Sequence, residues 1–264
     1  MTQNIILETK KIRKEFGALV AVHDIDIKVK ANSIHSVIGP NGAGKTTLFN
    51  LVSGTMPPTS GKVFFKGQDI TNLPIHQTAH LGMGRSFQIT NLFPNLTVLE
   101  NVRLACQSLG KDNFRFYQHF KKFKQYEERA YDVLAQVGLK KSALLHARSL
   151  PHGDQRKLEL AMILAPDPEV LLLDEPTAGL AAEQVPELMA LIQKFQQSRN
   201  KTIVLVEHNM SVIMSVSDFI TVMHHGEAIA EGTPTEIANN QTVQTAYLGG
   251  LYGDLNKIVT QVEE

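Results

Sequence analysis

Apolar and polar residues alternate along the first thirty positions of the chain, with the two-residue period that is typical of β-strands. The alternation is clearest over residues 25–29, and a shorter apolar run covers residues 20–22. Because successive side chains of a strand point to opposite faces, such a segment carries one apolar face. Residues 5–30 are therefore predicted to form a small antiparallel sheet.

Later in the chain, short apolar runs alternate with segments of helical period. The predicted strands are residues 34–38, 61–67, 170–173, 202–206 and 219–223. A helical pattern covers residues 183–197, and the stretch from about 94 to 165 is helical without a convincing strand. Strands that alternate with helices usually form a parallel sheet with crossover helices. We therefore expect an α/β fold with a mostly parallel sheet, an antiparallel edge sheet and an inserted helical region.

Composition narrows the classes of partner. The 264 residues include 26 Lys and Arg against 26 Asp and Glu, and a chain without excess positive charge does not favour nucleic acid. The single cysteine, Cys106, forms no internal disulfide, which fits a reducing compartment with the cytosol as the default. No run approaches the ~20 apolar residues that span a bilayer, and the N-terminal residues lack a secretion pattern. If the protein works at a membrane, we expect other chains to anchor it there.

The stretch with the most chemical information is residues 39–46, which match the phosphate-binding pattern G-x-x-x-x-G-K-[ST] at every fixed position. Its glycines let backbone N–H groups point inward, Lys45 reaches the β- and γ-phosphates, and the Thr46 hydroxyl ligates Mg²⁺. The predicted strand 34–38 precedes it, and a helix is predicted from Thr47 onward, in the order that the motif requires. The alternative is a glycine-rich turn without a ligand. The pattern predicts binding of a nucleoside triphosphate.

A second chemical feature is a pair of carboxylates, Asp174 and Glu175, at the end of the apolar run 170–173. Ligands of open α/β sheets bind at the carboxyl ends of strands, which places Asp174 to hold Mg²⁺, directly or through water. Phosphoryl transfer needs a positioned nucleophile, and Glu175 would polarise the attacking water. The alternative is a strand that simply ends in a turn.

Together these motifs resemble the ATP-binding cassette family. The resemblance rests on the phosphate loop, on the sequence Asp-Glu-Pro-Thr at 174–177, on Gln88 and on His208. It covers residues 7–249 and implies a P-loop NTPase-type fold whose α/β core spans residues 1–93 and 166–232. A helical subdomain at 94–165 and a C-terminal tail at 233–264 complete the expected division.

The resemblance also implies individual roles. Phe16 corresponds to the aromatic residue that stacks on adenine, although it could also be an ordinary core residue. Gln88 resembles the residue that senses Mg²⁺ and the membrane partner, and His208 resembles the histidine that holds the γ-phosphate and the water. With Glu175, these two form the expected catalytic set, whereas Thr46, Gln88 and Asp174 form the expected Mg²⁺ set. The expected ATP-binding residues are Phe16, Gly39, Pro40, Asn41, Gly42, Ala43, Gly44, Lys45, Thr46, Thr47, Pro151, His152, Gly153 and Asp154.

The last four of those residues lie in a divergent copy of the family's signature segment. Pro151 replaces the usual serine, His152 replaces the first glycine, and Asp154 replaces the common glutamine. In the family this segment caps the γ-phosphate held by the opposite subunit, so we expect a dimer of this chain or of this chain with a similar one. Pro151 suits the start of a helix but removes a hydroxyl donor, and His152 or backbone N–H groups would replace it in part. Ala181 also departs from the usual Asp or Asn.

The motifs around Gln88, the signature segment and His208 look like the ATPase subunits of importers of branched-chain and hydrophobic amino acids. This branch implies transmembrane permease subunits, a substrate-binding protein and a location on the cytoplasmic side of the membrane. Urea or amide importers and lipopolysaccharide-type exporters share much of the pattern. A soluble ATP-gated cassette protein with weak turnover is the alternative from another class. Residues 114–129, aromatic and basic, could form a docking helix or an amphipathic helix packed inward.

Overall fold

The structure is a computed structural model that describes residues 4–86, 92–108, 110 and 124–248. Its strands are β1 (Ile5–Phe16), β2 (Leu19–Lys30), β3 (Ile34–Ile38), β4 (Ser60–Phe65), β5 (Gln68–Asp69), β6 (Met83–Arg85), β7 (Val170–Asp174), β8 (Thr202–Val206), β9 (Phe219–His224) and β10 (Glu227–Gly232). Its α-helices are α1 (Lys45–Val52), α2 (Ile75–His80), α3 (Val98–Gln107), α4 (Lys124–Gln136), α5 (His152–Leu164), α6 (Val185–Arg199), α7 (Met210–Val216), α8 (Pro234–Ala238) and α9 (Gln241–Leu248).

The strands form two sheets. The smaller has the order β2-β1-β4-β5 and is antiparallel throughout, which confirms the sheet predicted for residues 5–30. The larger has the order β10-β9-β3-β8-β7-β6, in which the pairs from β9 to β6 are parallel and β10 is antiparallel. Because β3, β8 and β7 are neighbours and parallel, their carboxyl ends lie side by side at one edge of the sheet.

Complete burial explains why the central strands are so apolar. All five residues of β3, β7 and β8 are buried, and three successive leucines of β7 are at most 1% exposed. Helices or a second sheet cover both faces of such strands, so apolar side chains are favoured on both. Each buried leucine contributes about 1.5–3 kcal/mol of transfer free energy. One core cluster joins this sheet to α3, α4, α5 and α6, and another joins it to the small sheet and α1.

Several element boundaries differ from the predictions. Helix α1 begins at Lys45, two residues before the predicted start at Thr47, and α6 begins at Val185 instead of 183. The sequence analysis missed β5, α2, β6, α7, β10, α8 and α9. These elements have two to eight residues each, and none combines enough length with a clear apolar pattern. Strand β10, for example, pairs with β9 at the edge of the sheet and is only half-buried, so its apolar run is short.

Helices α3, α4 and α5 occupy the described part of the predicted helical region and pack against one another. The division of the chain at residues 94 and 165 stays a prediction. Most of the aromatic and basic segment 114–129 lies outside the described residues, except for its last positions at the start of α4. The tail beyond residue 248 also lies outside them. Within the described ranges, every helix is too short or too polar to cross a bilayer.

Candidate functional site

The phosphate loop joins the end of β3 to the first residue of α1. Gly44, directly before the helix, has a φ of 97°, and a Cβ atom there would lie 2.3 Å from the carbonyl oxygen of Ala21. Only glycine tolerates both the positive φ and this approach of backbone to backbone. The fixed glycine of the motif therefore lets the loop pack against the small sheet immediately before the helix.

Lys45 is the one charged side chain of the loop, and it is 6% exposed. Its Nζ donates hydrogen bonds to the carbonyl oxygens of Gly39 at 2.7 Å and Pro40 at 2.9 Å. Burial lowers the pKa of Lys45, and the negative charges of Glu175 and Asp174 partly oppose that shift. The lysine thus lies folded over its own loop, where its charge faces the carboxylates across the edge of the sheet.

Asp174 ends β7 and is 3% exposed. Its backbone N–H donates to the hydroxyl of Ser86 at 2.8 Å, but neither carboxylate oxygen has a hydrogen-bond partner among the described residues. Burial, and after it the neighbouring Glu175, raise the pKa of the Asp174 carboxyl to about 6, with Arg85 as the main opposing charge. A buried carboxylate with two unpaired oxygens is suited to a hydrated cation.

The unpaired oxygens of Asp174 raise the question of whether the residues present fit the expected Mg²⁺. No group of three or more His, Cys, Asp or Glu side chains within the described ranges could hold a metal by itself. Mg²⁺ is usually bound through one or two carboxylates together with substrate phosphates, rather than by a cage of protein ligands. Asp174 beside the phosphate loop matches this donor set, so the residues present fit a nucleotide-bound Mg²⁺.

Glu175 and His208 meet across neighbouring strands. Glu175 is the first residue after β7, His208 is the second residue after β8, and His208 Nε2 lies 2.5 Å from Glu175 Oε1. Both side chains are partly exposed, with 42% of His208 and 26% of Glu175 accessible. The two catalytic residues expected at this edge are thus in direct contact, and they remain open to a substrate. Glu175 also has a φ of 49°, which is uncommon for a residue with a side chain.

Of the other expected site residues, Phe16 is described by the structure and Gln88 is not. Phe16 ends β1 and is 46% exposed, with Lys14 Nζ 5.3 Å from its ring centroid. An aromatic ring this exposed is not a core residue, which removes the alternative considered for it and leaves its face open for stacking. Gln88 lies outside the described residues. Ser86, the last described residue before it, donates its backbone N–H to the carbonyl oxygen of Leu172 in β7 at 2.8 Å.

The signature segment lies elsewhere, at the start of α5. Pro151 is the N-cap residue, one position before the helix, and both Pro151 and His152 are exposed. The His152 ring lies over Gly179, where an added Cβ would be 3.2 Å from the ring. Among the described residues, no hydrogen bond joins this segment to the phosphate loop. The expected ATP-binding residues thus form two separate groups on one chain.

Sequence reasoning missed Ser86, which supports Asp174, and Arg85, which supports α1. The Arg85 guanidinium donates to Asn50 Oδ1 at 2.5 Å and also contacts Ser53 and Thr55 just beyond the helix. Arg85 borders a groove of about 590 Å³ whose apolar lining includes Ile75, Ala79, Met162 and Ile163. The signal in the sequence was the pair Arg85-Ser86 directly before Phe87-Gln88, but nothing in it shows where these side chains point.

Comparisons with known proteins agree on the type of protein. Residues 22–178 match the family model described as ABC transporter, and residues 229–251 match the one described as branched-chain amino acid ATP-binding cassette transporter. The high-affinity branched-chain amino acid transport ATP-binding protein BraF of Pseudomonas aeruginosa is 40% identical over 250 residues, covering 92% of this chain and 98% of that protein. The corresponding protein LivG of Escherichia coli K12 is 39% identical over 249 residues, with the same coverage.

Solved structures give the same result. A nucleotide-free ATP-binding cassette from an ABC transporter superposes with a TM-score of 0.81 at 27% identity, covering 92% of this chain and 98% of the other. A dimeric cassette in a post-hydrolysis state, bound to ADP and Pi, superposes with a TM-score of 0.74 at 26% identity, covering 87% and 99%.

Proposed function

Because this chain belongs to the ABC transporter family and is one of its ATPases, we propose that it drives an importer of branched-chain amino acids. The observation that carries the choice of substrate is the similarity over 92% of the chain to two transport proteins of that specificity. The match of residues 229–251 to a family of the same description supports it independently, because that segment lies outside the ATP-binding motifs.

We assign ATP binding to the phosphate loop and to Phe16. Backbone N–H groups of residues 41–44 and the N-terminus of α1 receive the phosphates, and Lys45 exchanges its two carbonyl partners for phosphate oxygens. Phe16 stacks on the adenine ring, and its exposed face supports this role. Thr46, Asp174 and Gln88 would hold Mg²⁺, which neutralises phosphate charge when it is bound.

Hydrolysis depends on Glu175 and His208. Phosphoryl transfer is catalysed mainly by positioning and charge stabilisation, so the enzyme must hold one water in line with the γ-phosphate. Glu175 accepts a hydrogen bond from that water and polarises it. His208, at 2.5 Å from Glu175, holds the Glu175 carboxylate in place and would donate to the γ-phosphate. This pairing across β7 and β8 supports the assignment of hydrolysis to this edge.

We further propose that a second ATPase subunit, of the same or a similar sequence, completes each site. The signature segment is exposed and has no hydrogen bond to its own phosphate loop within the described ranges. In a head-to-tail dimer it would cap the nucleotide of the partner, with N–H groups of α5 and His152 facing the γ-phosphate. The dimeric relative bound to ADP and Pi supports this arrangement.

The permease subunits are proposed to contact the groove bordered by Arg85. Its apolar lining is suited to an apolar partner, and Arg85 connects it to Asn50 in α1. A change in the groove would therefore reach the helix that begins at the phosphate loop. This contact would place the chain on the cytoplasmic face of the membrane, with a substrate-binding protein acting on the other face.

Uptake measurements test the proposed substrate. Cells that lack their own version of this subunit would be complemented with the chain or with Lys45→Ala, and uptake of labelled leucine, isoleucine, valine and urea would be followed. We expect the chain to restore uptake of the three amino acids and Lys45→Ala to restore none, because the variant loses the cation that holds the phosphates. Rescue of urea uptake alone would overturn the proposal in favour of the urea importer.

A further inference from the structure

A buried carboxylate lies directly behind the pair Glu175 and His208. Glu207, which follows β8, is 3% exposed. Its Oε1 accepts hydrogen bonds from the backbone N–H of Thr177 at 2.9 Å and from the Thr177 hydroxyl at 2.6 Å. Its Oε2 accepts from the backbone N–H of His208 at 3.1 Å. Three donors therefore converge on one carboxylate that water barely reaches.

These bonds connect the two loops that carry the proposed catalytic pair. Thr177 is two residues beyond Glu175, and His208 immediately follows Glu207. The connected loops also share the backbone bond from Glu175 N–H to the carbonyl oxygen of Val206 at 2.8 Å. The side chains of Glu175 and His208 are also in contact. Three kinds of contact therefore join the two loops: the Glu207 bonds to Thr177, this backbone bond and this side-chain contact. A shift of one loop relative to the other would break the bonds between Glu207 and Thr177.

The backbone of Glu175 explains why such a support is needed. A φ of 49° is unfavourable for a residue with a Cβ, and such conformations persist only where the surrounding structure holds them. Thr177 is the next anchored residue after Glu175, and Ala178 N–H donates to the Glu175 carbonyl oxygen at 3.0 Å. Glu207 thus fixes the turn that keeps Glu175 in this conformation.

We propose that Glu207 is a positioning residue for ATP hydrolysis, which clamps the Glu175 loop to the His208 loop through Thr177 and the His208 backbone. This inference rests on the roles proposed above for Glu175 and His208. The carboxylate is required because all three of its partners are donors. A glutamine would present an N–H group to one of these donors, so it can satisfy only one of the two loops.

The test is a comparison of ATP binding with ATP hydrolysis in the full chain. Glu207→Gln is expected to lower the single-turnover rate about ten- to a hundredfold, the range given by loss of hydrogen bonds to a buried charged group. The dissociation constant for ATP should change less than about twofold, because the phosphate loop is untouched. Thr177→Val should lower the rate in the same direction, and Thr177→Ser, which keeps the hydroxyl, should recover most of it.

The chain contains a matched control. Glu236 accepts hydrogen bonds from the Thr233 N–H at 2.7 Å and the Thr233 hydroxyl at 2.9 Å, the same pattern as Glu207 with Thr177. This pair caps α8 outside the site and is exposed. Glu236→Gln should leave the hydrolysis rate and ATP binding unchanged. Thermal unfolding of all variants would show which have kept the fold, and Thr177→Val supplies a milder change should Glu207→Gln unfold.

Combining variants separates this inference from the roles on which it rests. If Glu207 acts through Glu175, then Glu207→Gln should not further reduce the residual rate of Glu175→Gln. Independent, multiplying losses in the double variant would overturn the positioning role, as would an unchanged rate for a folded Glu207→Gln. An unchanged rate for Glu175→Gln alone would instead overturn the proposed role of Glu175.

Discussion

The edge of the sheet that carries Lys45, Asp174 and Glu175 contrasts with the signature segment at the start of α5. At the sheet edge, Asp174 and Lys45 are buried, and hydrogen bonds between neighbouring loops hold the reactive groups. In the signature segment, Pro151 and His152 are exposed. Under the proposed function, one chain would preorganise the phosphate and water positions by itself, whereas the capping groups would be supplied to a second subunit.

The two regions also differ in how closely they follow the family's pattern. The fixed residues of the phosphate loop and the carboxylate pair are all present, whereas three signature positions depart from it. Burial and hydrogen-bond geometry together restrict which residues can occupy the phosphate loop and the carboxylate pair. In the proposed dimer, the capping segment would contribute mainly through N–H groups of a helix start, which proline allows and which do not depend on the side chain. The contrast therefore predicts large effects of substitution at the sheet edge and small effects in the signature segment.

The largest effect is expected for Glu175→Gln. Loss of the group that polarises water typically reduces a rate by 10²- to 10⁴-fold, and a steady-state phosphate-release assay should show a decrease of about that size. ATP affinity should be retained, because the phosphate loop is unchanged. The matched control is Glu187→Gln, which removes a carboxylate bonded to Lys157 beside the signature segment. Equal rates for Glu175→Gln and the unsubstituted chain would mean that the chain binds ATP without using Glu175, as in the weak-turnover alternative.

An intermediate effect is expected for Asp174→Asn, measured as stability without nucleotide or Mg²⁺. The folded protein holds the pKa of Asp174 at about 6, above the ordinary 3.8, so its charge destabilises the fold. A raised acid pKa means that the folded state binds more protons than the unfolded state. The free energy of unfolding therefore falls as pH rises from about 4 to 6. Asp174→Asn should therefore have a free energy of unfolding on the order of 3 kcal/mol higher than the unsubstituted chain at pH 8, and most of this difference should be lost at pH 4.

Denaturant unfolding at both pH values measures this, with Asp132→Asn on the exposed face of α4 as a control for losing one carboxylate. A stability difference that stays constant from pH 4 to pH 8 would contradict the buried, unpaired state of Asp174. Addition of Mg²⁺ and ATP should stabilise the unsubstituted chain more than Asp174→Asn, because only the former keeps the carboxylate for the cation.

The smallest effect is expected for Pro151→Ser, which restores a hydroxyl donor in the signature segment. One hydrogen bond to a charged phosphate is worth roughly 1.5–3 kcal/mol at most, and backbone N–H groups already supply part of it. We expect turnover to rise about three- to tenfold, measured at a protein concentration that allows dimers. Pro234→Ser, at the first position of α8, makes the same change outside the site. An equal turnover in Pro151→Ser would show that the lost hydroxyl has no cost here.

Much of the fold followed from local patterns, and the missing parts have a common cause. Strands β3, β7 and β8 were predictable because their residues are apolar on both faces. Elements such as α7 and β10 were not, because they are short and are held by contacts with β9 and its neighbours. An apolar run as short as α7 does not by itself distinguish a helix from a strand, and β10 is half-exposed, so it lacks a continuous apolar run.

The sequence by itself determined which chemical groups the protein has and on which kind of element each lies. The phosphate loop and the paired carboxylates at a strand end are contiguous, so their spacing encodes their geometry. Only the tertiary structure decided which of these groups meet. Glu175 and His208 are 33 residues apart and touch because β7 and β8 pair in parallel register. The clamp made by Glu207 and the raised pKa of Asp174 depend on burial, which arises when sheets and helices pack and which no local pattern specifies.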